Sequence, residues 1–440
     1  MSKKKKKRIE PIASLLPKVL PAELEPEVIE LYQLACKYSE PIWHKIKIEH
    51  GVPPPQEIIN EFMRLTHSGM RQAQAKIVSK LIYNTTDDSI NEARVFAYRG
   101  IANAIAWQLL KNELAYVKRF FMAQYPPTLK ETNIESVIQA VEQCHQQYPD
   151  SIALISDLTT FIQIGDIYHA KVDGSISIYE VKEGETNRNI LDILEKTPTL
   201  VDSSAIPSLF SDKSESFQKQ MQRTIRQKQR MTALGQTLAN DEGIDALTGL
   251  QVKITELPIE VGTWYNSIIP LSQECESRGY ALDVIQDCLF IGCYQTGKFA
   301  VPGQLAFEAW LQISGLTEGC PRTSLVNCML DPLALPIYNL PLPDPLKFDL
   351  LFGRKHIAMA IHMKRLFEIC IERGIKIRCA DKKETAKLKL TNKHLWQYNG
   401  QAIVIEINGQ EGCLGEGYTL RVLYHGENPV DALMALAWSE

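Results

Sequence analysis

The sequence predicts an α/β protein built from more than one domain. A chain of 440 residues is too long for one ordinary hydrophobic core, so two or three domains are expected. Apolar residues recur at helical spacing between 57 and 122, and the stretch from 152 to 181 changes to short β-type runs. After residue 250, short strands and helices alternate. Together these observations favour a helical N-terminal region, a core that contains strands and helices, and a second α/β domain.

Composition and charge indicate a soluble cytoplasmic protein. Hydrophobic residues make up 45% of the chain and the formal net charge is −4, so any phosphate contact must come from local patches or metal ions. The ten cysteines form no CxxC pair, which argues against zinc and is typical of a reducing compartment. The sequence shows no secretory signal and no apolar run near the ~20 residues of a membrane span, so no membrane contact is expected.

Three segments are predicted along the chain. Residues 1–55 form a basic, proline-rich N-terminal segment, in which Lys3–Arg8 is either a solvated tail or an arm that steers phosphates. Residues 56–245 form the core domain, and residues 250–440 form the second α/β domain. The boundary is expected at Asn240–Gly249, where aspartate, glycine and threonine cluster.

Helices enclose the β-type region of the core domain. Asn91–Phe121 carries an apolar stripe, in which Asn103 and Trp107 are expected to pack in the core, with a buried partner for the amide. A second helix is predicted at Asn133–Gln147, and a third at Phe217–Ala239. The predicted order is therefore helix, three strands, helix.

The three β-type runs are Ile152–Ile155, Phe161–His169 and Ser175–Val181. The third run has apolar residues on both faces, which predicts an interior strand. Charged side chains in such a strand are costly unless they are paired or bound to metal. Asp166 in the second run and Glu180 in the third are therefore candidate site residues.

The turn between the last two runs decides whether the two acids meet. Val172-Asp173-Gly174 suits a three-residue hairpin loop, with glycine in the left-handed position. The resulting register places Asp166 directly opposite Glu180, with their Cβ atoms ~5 Å apart. A two-residue Asp173-Gly174 turn would instead put the acids on opposite faces.

Two facing carboxylates repel each other and raise a pKa unless a cation lies between them. Mg²⁺, or Mn²⁺ in its place, is typically held by one or two carboxylates together with a substrate phosphate. Asp166 and Glu180 would supply the carboxylates, and the carbonyl of Val181 would be a third ligand. Lys182 returns to the same face, where it would orient the attacking water or neutralise charge developing on the phosphoryl group. Glu-x-Lys pairs are common on exposed strands. The prediction of a metal site therefore rests on this pair together with Asp166, the register that aligns them and the flanking helices.

These residues resemble the PD-(D/E)xK nuclease superfamily, which includes many restriction and defence nucleases. Asp166 matches the motif aspartate, Glu180 and Lys182 match the E-x-K pair, and the resemblance covers Asn91–Asn240. It implies a PD-(D/E)xK-type mixed-sheet core that uses Mg²⁺ to cleave phosphodiester bonds. The stretch 155–166 also looks like bacterial effector nucleases of this superfamily.

The resemblance implies contributions from the flanking helices as well. An acidic residue often precedes the sheet in such nucleases, and the candidates here are Glu92, Glu113 and Glu142. The helix after the E-x-K strand often supplies a glutamine or arginine, for which the catalytic candidate is Gln220. The nucleic-acid candidates on this helix are Arg223, Arg226, Gln227 and Arg230. A solvated helix face is the alternative for them, and Asp157 is expected to be a turn or cap residue rather than a neighbour of the metal.

The second domain contains no recognisable catalytic signature. Its predicted strands and helices include Gln251–Ile254, Ala402–Ile407 and Thr419–Tyr424 as strands and Phe307–Ile313 and His356–Arg373 as helices. A nuclease domain followed by a module without chemistry looks like a two-part immune effector whose second part senses or docks. One such resemblance is to the nuclease–APAZ subunit that partners short prokaryotic Argonautes, which implies that this domain binds an Argonaute and its guide–target duplex.

The leading functional hypothesis is metal-dependent cleavage of DNA, with RNA as a further substrate, by the effector of a prokaryotic anti-phage or anti-plasmid defence system. One alternative is a catalytically inactive nuclease fold that binds nucleic acid or docks a partner. Another is a sequence-specific restriction or repair endonuclease, which would give defined fragments rather than general degradation.

Overall fold

The computed structural model describes most of the chain. The described residues are 17–43, 54–83, 89–127, 129, 132–197, 203–254, 259–296, 300–316, 319–392, 395–407 and 409–437. The predicted basic tail Lys3–Arg8 lies outside them. The chain divides into two compact units: unit 1 is Met1–Glu25 together with Glu256–Glu440, and unit 2 is Pro26–Thr255. None of the described helices is both long enough and apolar enough to cross a lipid bilayer.

Unit 2 consists of helices around a small sheet. Its helices are α1 (Glu25–Tyr32), α2 (Glu40–Trp43), α3 (Gln56–Tyr83), α4 (Ser89–Leu109), α5 (Leu114–Phe120), α6 (Ile134–Gln147), α7 (Gly184–Lys196), α8 (Ile206–Leu209) and α9 (Glu215–Asn240). Its strands are β1 (Ile152–Ile155), β2 (Ile167–Ala170), β3 (Ile176–Tyr179), β4 (Glu242–Ile244) and β5 (Gln251–Lys253). A π-helical turn, Gln33–Lys37, follows α1 and packs on α3.

The antiparallel sheet β1-β2-β3 carries the candidate site. β1 and β2 are buried along their whole length. Among the described strands, β3 pairs with β2 alone, and its residues Ile176 and Tyr179 are 40% and 39% exposed. The prediction of an interior third strand is therefore wrong. Apolar residues on both faces of β3 reflect partial cover at the edge of the sheet rather than burial on two sides.

Buried amides tie the helices to this sheet. Gln74 of α3 donates to the carbonyl of Ala153 and accepts from the N–H of Ile155, both at 2.9 Å. The amide thereby provides hydrogen-bond partners for backbone groups on the outer edge of β1, which has no neighbouring strand in the described sheet. Asn103 of α4 bonds Thr160 with both ends of its amide, as the sequence predicts for a buried amide. These bonds hold β1 and the loop after it against α3 and α4.

The helix predicted at Asn91–Phe121 is divided. α4 ends at Leu109 and α5 begins at Leu114. Between them, Lys111 and Asn112 adopt left-handed backbone conformations with φ of 60° and 57°, which a continuous right-handed helix does not allow. The apolar stripe continues across this break, so its spacing alone does not reveal the interruption.

Helix α7 is not predicted by the sequence analysis. Its residues are mostly polar, and only Ile190 and Leu194 are buried. These two side chains pack with Met221 and Ile225 of α9 in a small core that joins the two helices. A short helix of this kind depends on its tertiary partner, which no local pattern in α7 indicates.

Unit 1 is also a mixture of helices and antiparallel strands. Its helices are α10 (Tyr265–Arg278), α11 (Ala300–Ile313), α12 (Asp344–Leu351), α13 (Met363–Glu372), α14 (Lys382–Thr391), α15 (Gly417–Tyr424) and α16 (Pro429–Ala437). Its strands are β6 (Tyr280–Ile285), β7 (Leu289–Gln295), β8 (Arg322–Ser324), β9 (Lys355–Ile361), β10 (Ile377–Cys379), β11 (Gln397–Tyr398), β12 (Gln401–Ile407) and β13 (Gln410–Cys413). They form the sheets β6-β7-β9-β8 and β10-β12-β11, with β13 paired to β12. The chain is thus a mixed α/β protein with several small sheets.

Two predictions for unit 1 are wrong. The segment His356–Arg373 is not one helix, because its first part belongs to β9, a fully buried strand between β7 and β8. The segment Thr419–Tyr424 is not a strand but lies in α15, where the carbonyl of Val422 accepts from the buried indole N–H of Trp264 at 2.6 Å. A helix buried on most sides lacks the polar face that marks helical periodicity, so its apolar run is easily taken for a strand.

Candidate active site

The β2–β3 ribbon has the three-residue loop that the sequence predicts. The N–H of Lys171 donates to the carbonyl of Ser175, and the N–H of Gly174 donates to the carbonyl of Lys171, both at 3.0 Å. Gly174 has φ +81°, the left-handed conformation expected at the third loop position. The described register runs from Ala170 opposite Ile176 to Ile167 opposite Tyr179, and Asp166 and Glu180 flank this last pair at the same end of the ribbon.

Backbone contacts hold Asp166 at the start of β2. Its N–H donates to the carbonyl of Tyr179 at 2.7 Å, and its Oδ2 accepts from the N–H of Val181 at 2.6 Å. Gly165 precedes it with φ +80°, and a Cβ at that position would collide with the side chain of Ile178. Only glycine meets both demands without a shift of the ribbon. The Asp166 carboxylate is therefore fixed against the end of β3.

Glu180, Lys182 and Gln227 form a closed set of hydrogen bonds. Lys182 Nζ donates to Glu180 Oε1 and to Gln227 Oε1, each at 2.7 Å, and Gln227 Nε2 donates to Glu180 Oε1 at 2.6 Å. The side chains of Glu180 and Lys182 are only 17% and 11% exposed. Gln227 comes from α9, whose apolar side is anchored on α7. The amide thus fixes the carboxylate and the ammonium group relative to each other.

Asp157 contributes a third carboxylate. It occupies the short 3-10 turn after β1, which reaches the start of β2 because the N–H of Ser156 donates to the carbonyl of Asp166 at 2.9 Å. Arg99 of α4 donates to the carbonyls of Asp157 and Thr159 at 3.0 and 3.1 Å, and so holds the turn in place. Asp157 is the turn residue that the sequence predicts, and the charge of its carboxylate adds to the raised pKa of Asp166.

Burial and neighbouring carboxylates raise the pKa values of Asp166 and Asp157. Burial raises the pKa of Asp166 to about 6, the Glu180 and Asp157 carboxylates add to the rise, and the N–H of Val181 and the Lys182 ammonium oppose it. Burial also raises the pKa of Asp157, although the Thr132 hydroxyl and Arg99 work against that. Acids that disfavour each other's ionised forms are stabilised by a divalent cation placed among them.

These side chains suit a cation that keeps several water ligands, rather than one whose ligands all come from the protein. Within the described residues, no cluster of three or more His, Cys, Asp and Glu side chains is arranged to hold a metal ion by itself. Mg²⁺ does not need such a cluster, since one or two carboxylates, water and a phosphate suffice. Asp166 and Glu180 fit this requirement. The contact that the structure gives for Val181 is its N–H on Asp166, rather than the predicted carbonyl ligand.

Gln227 is the side chain of α9 that reaches the acids. Gln220, the catalytic candidate, instead donates to Oδ1 of Asn187 on α7 at 3.0 Å. It lies about two helical turns from Gln227 along α9. The sequence places both glutamines on one face of the helix but does not distinguish between them. The remaining nucleic-acid candidates, all exposed on α9, are Arg223, Arg226 and Arg230.

The candidates for an upstream acid lie elsewhere in unit 2. Glu92 is exposed in the first turn of α4, Glu113 precedes α5, and Glu142 is exposed on α6. Besides Glu180, the acid whose charge raises the pKa of Asp166 is Asp157. A signal for it is present in the sequence, because Asp157 directly follows an apolar strand that neighbours the strand of Asp166.

Comparison with known proteins adds no relative. No protein-family model, no curated protein and no solved structure matches the chain. The resemblance to PD-(D/E)xK nucleases therefore rests on the sequence motif alone and stays a prediction.

Proposed function

We propose that unit 2 is a Mg²⁺- or Mn²⁺-dependent nuclease that hydrolyses phosphodiester bonds in DNA, with RNA as a further substrate. The observation that carries the proposal is the arrangement of Asp166 and Glu180 across one ribbon, with the Lys182 ammonium bound to Glu180 at 2.7 Å. The raised pKa of Asp166 supports it, because burial and the Glu180 carboxylate disfavour the ionised form, which a divalent cation would stabilise.

Each residue of the site has a distinct role in this proposal. Asp166 and Glu180 would hold the cation, which would supply Lewis-acid chemistry and a water of lowered pKa. The Lys182 ammonium stabilises negative charge that grows on the phosphoryl oxygens as the bond to the leaving oxygen breaks. Gln227 is a positioning residue, because its amide contacts both Glu180 and Lys182 at 2.6–2.7 Å.

Helix α9 offers the cationic side chains that a nucleic acid requires. Arg223, Arg226 and Arg230 are exposed on the helix that also delivers Gln227 to the acids. Guanidinium groups bind phosphate in a bidentate manner, and a chain with a formal net charge of −4 needs such a local patch. A phosphate backbone lying along α9 would therefore pass the acidic group.

Cleavage assays on the full chain test this function. Supercoiled plasmid and a labelled RNA are incubated with Mg²⁺, with Mn²⁺ or with EDTA. We expect cleavage that requires the metal ion and that falls ~100-fold or more in Asp166→Asn and Lys182→Met. The matched controls, Asp192→Asn and Lys196→Met, change exposed side chains of α7 and should cleave like the wild type. Cleavage that persists undiminished in either site variant contradicts the proposal.

A second candidate is a nuclease fold that binds nucleic acid without cutting it. The engagement of Glu180 Oε1 by both Lys182 and Gln227 favours this candidate, because a carboxylate so engaged gives up hydrogen bonds when it binds a cation. Retained nucleic-acid binding with no turnover in either metal ion would identify this function. Loss of binding in a variant with Arg223 and Arg226 changed to glutamate would then locate the surface.

We further propose that the nuclease is the effector of a prokaryotic defence system and that residues 250–440 dock its sensor, of which a short Argonaute is the leading candidate. The support is the pairing of a nuclease-like unit with an α/β unit in which no catalytic motif is recognised. Co-expression with a short Argonaute encoded beside it tests this arrangement. We expect a stable complex that still forms when Asp166 and Glu180 are substituted. We also expect its nuclease activity to respond to a guide–target duplex. Failure of the two proteins to associate would contradict the proposal.

A further inference from the structure

Helix α14 is fixed to unit 1 along one face. Thr385 is buried, and its hydroxyl accepts from the N–H of Ala402 on β12 at 3.0 Å. Leu388 packs against the small core that includes Ala402. The Asp381 carboxylate caps the first turn of the helix by accepting from the N–H of Glu384 at 2.7 Å. These contacts hold α14 in place while its opposite face is exposed to solvent.

The exposed face of α14 carries four cationic side chains, which are Lys382, Lys383, Lys387 and Lys389. None of them is paired with a carboxylate in the part of the chain that the structure describes. The one acidic residue within the helix, Glu384, is engaged by the Arg378 guanidinium through two bonds of 2.8 Å. The charge of the four lysines is therefore not offset within α14.

Helical geometry divides these lysines between two flanks of the exposed face. An α-helix turns through about 100° per residue, so residues four or seven apart lie on nearly the same side. Lys382 and Lys389 therefore share one flank of α14, and Lys383 and Lys387 share the other. The two pairs of ammonium groups extend to opposite sides of the helix axis.

An uncharged strip lies between the two flanks. It consists of Ala386 and Leu390, and the Leu390 side chain is 86% exposed. The same geometry places Leu390 opposite the side on which Thr385 and Leu388 pack. A partner that covers this strip removes apolar surface from water, which favours binding.

The positions of the lysines are unfavourable for the helix itself. Lys382 and Lys383 lie in the first turn, where the positive end of the helix dipole disfavours cations. Lys383 and Lys387 are a like-charge pair at i and i+4, which also destabilises a helix. A partner with several negative charges along its length would relieve both effects at once. This favours a polyanion over a single carboxylate or phosphate.

Duplex DNA fits this face better than a lipid surface does. The major groove of B-form DNA is ~12 Å wide and admits one α-helix. A helix in the groove has a phosphate backbone on each side and base edges in front of it, where thymine methyl groups accept apolar contacts. A helix that binds a membrane needs a broad apolar face, whereas the exposed face of α14 offers Leu390 as its single large apolar side chain.

We propose that α14 binds double-stranded DNA by entering the major groove, with one pair of lysines on the phosphates of each strand and with Leu390 against the base edges. Most of these contacts are to phosphates, so binding should depend little on the base sequence. The inference requires neither the nuclease activity nor a sensor protein, because α14 belongs to unit 1 and the interaction is with DNA itself.

Fluorescence anisotropy of the full chain with a labelled DNA duplex of about 20 base pairs, in EDTA to prevent cleavage, tests the proposal. We expect Lys383→Gln/Lys387→Gln to weaken binding tenfold or more and to reduce the slope of log Kd against log salt concentration by about 2, since two phosphate contacts are lost. Leu390→Ser should weaken binding about threefold. The matched control Arg278→Gln/Lys364→Gln removes two exposed cations from α10 and α13 and should bind within twofold of the wild type. Far-UV circular dichroism verifies that each variant is folded.

Further comparisons separate this surface from α9 and duplex DNA from other polyanions. The loss in Lys383→Gln/Lys387→Gln should persist when Arg223 and Arg226 on α9 are already glutamate. An RNA duplex should compete at least fivefold less well than DNA, because its major groove is too deep and narrow for side chains to read. The proposal is overturned by unchanged affinity in either α14 variant, by an equal loss in the control, by equal competition from duplex RNA, or by binding to vesicles of phosphatidylcholine and phosphatidylserine that depends on these lysines.

Discussion

Replacement of Asp166 by asparagine should stabilise unit 2 at neutral pH while it removes cleavage. The pKa of Asp166 rises from an ordinary 3.8 to about 6, a difference of about two units. At ~1.4 kcal/mol per unit, ionisation of this carboxyl costs the folded state ~3 kcal/mol relative to the unfolded chain. Since the side chain retains some contact with solvent, we expect a net gain of ~1–2 kcal/mol in Asp166→Asn. The asparagine Oδ1 can still accept from the N–H of Val181.

The pH dependence gives the sign of the effect. Because the folded-state pKa is raised, the folded protein holds the Asp166 proton more tightly than the unfolded chain between pH ~4 and ~6. The stability that this proton provides is complete below that window and is lost as the pH rises through it. Asp166→Asn has no such loss, so its advantage over the wild type should grow across the window and level off above pH ~7.

Denaturant titrations and calorimetry in EDTA, at pH 4.5 and at pH 7.5, measure this difference on the transition of unit 2. For a unit of this size the gain corresponds to a rise of ~2–6 °C in Tm. Mg²⁺ should then raise the Tm of the wild type more than that of the variant, because the cation relieves the repulsion that asparagine has already removed. Asp192→Asn serves as the control. The reasoning is refuted if Asp166→Asn is no more stable than the wild type at pH 7.5. It is also refuted if the stability gain of the variant at pH 4.5 equals its gain at pH 7.5.

Three further predictions test the support of the site and the stability of unit 2. Gln227→Leu should lower kcat by ~10–100-fold with little change in nucleic-acid affinity, whereas Gln220→Leu should stay within threefold of wild type in the same assay. Gly165→Ala should cost ~2 kcal/mol or more in denaturant titration, because alanine disfavours φ +80° and its Cβ collides with the ribbon; wild-type stability would contradict this. Arg119→Met should lower the free energy of unfolding by ~3 kcal/mol in the same measurement, because it removes the guanidinium that lies 2.6 Å from the buried carboxylate of Asp245. A loss below ~1 kcal/mol would show that the ion pair contributes little.

The ribbon was predictable because its determinants are local. The sequence Val172-Asp173-Gly174 selects the loop, the loop sets the register, and the period of two then places Asp166 opposite Glu180. Lys182 follows from the same alternation. These steps need no knowledge of the rest of the chain, and the structure has the predicted register from Ala170–Ile176 to Ile167–Tyr179, with Asp166 and Glu180 just beyond this last pair.

The parts that escaped prediction depend on distant partners. Gln227 and Gln220 are equivalent on the helix, and only the packing of α9 on α7 brings Gln227 to the acids. Asp157 reaches the site through the bond from Ser156 to Asp166, which links two strands. In unit 1, burial on most sides removed the periodicity by which α15 would have been recognised.

Unit 2 interrupts unit 1 in the chain, and this has a consequence for synthesis. Leu20 donates its N–H to the carbonyl of Leu351 at 2.8 Å, and Glu25 pairs with Arg354 at 2.8 Å, so both partners emerge from the ribosome more than 300 residues later. All of unit 2 can therefore be synthesised before the later part of unit 1, Glu256–Glu440, is available to pair with the first residues of the chain. A gene shortened after residue 255 would leave those first residues without their partners, and clean excision of unit 2 requires a cut on each side of it.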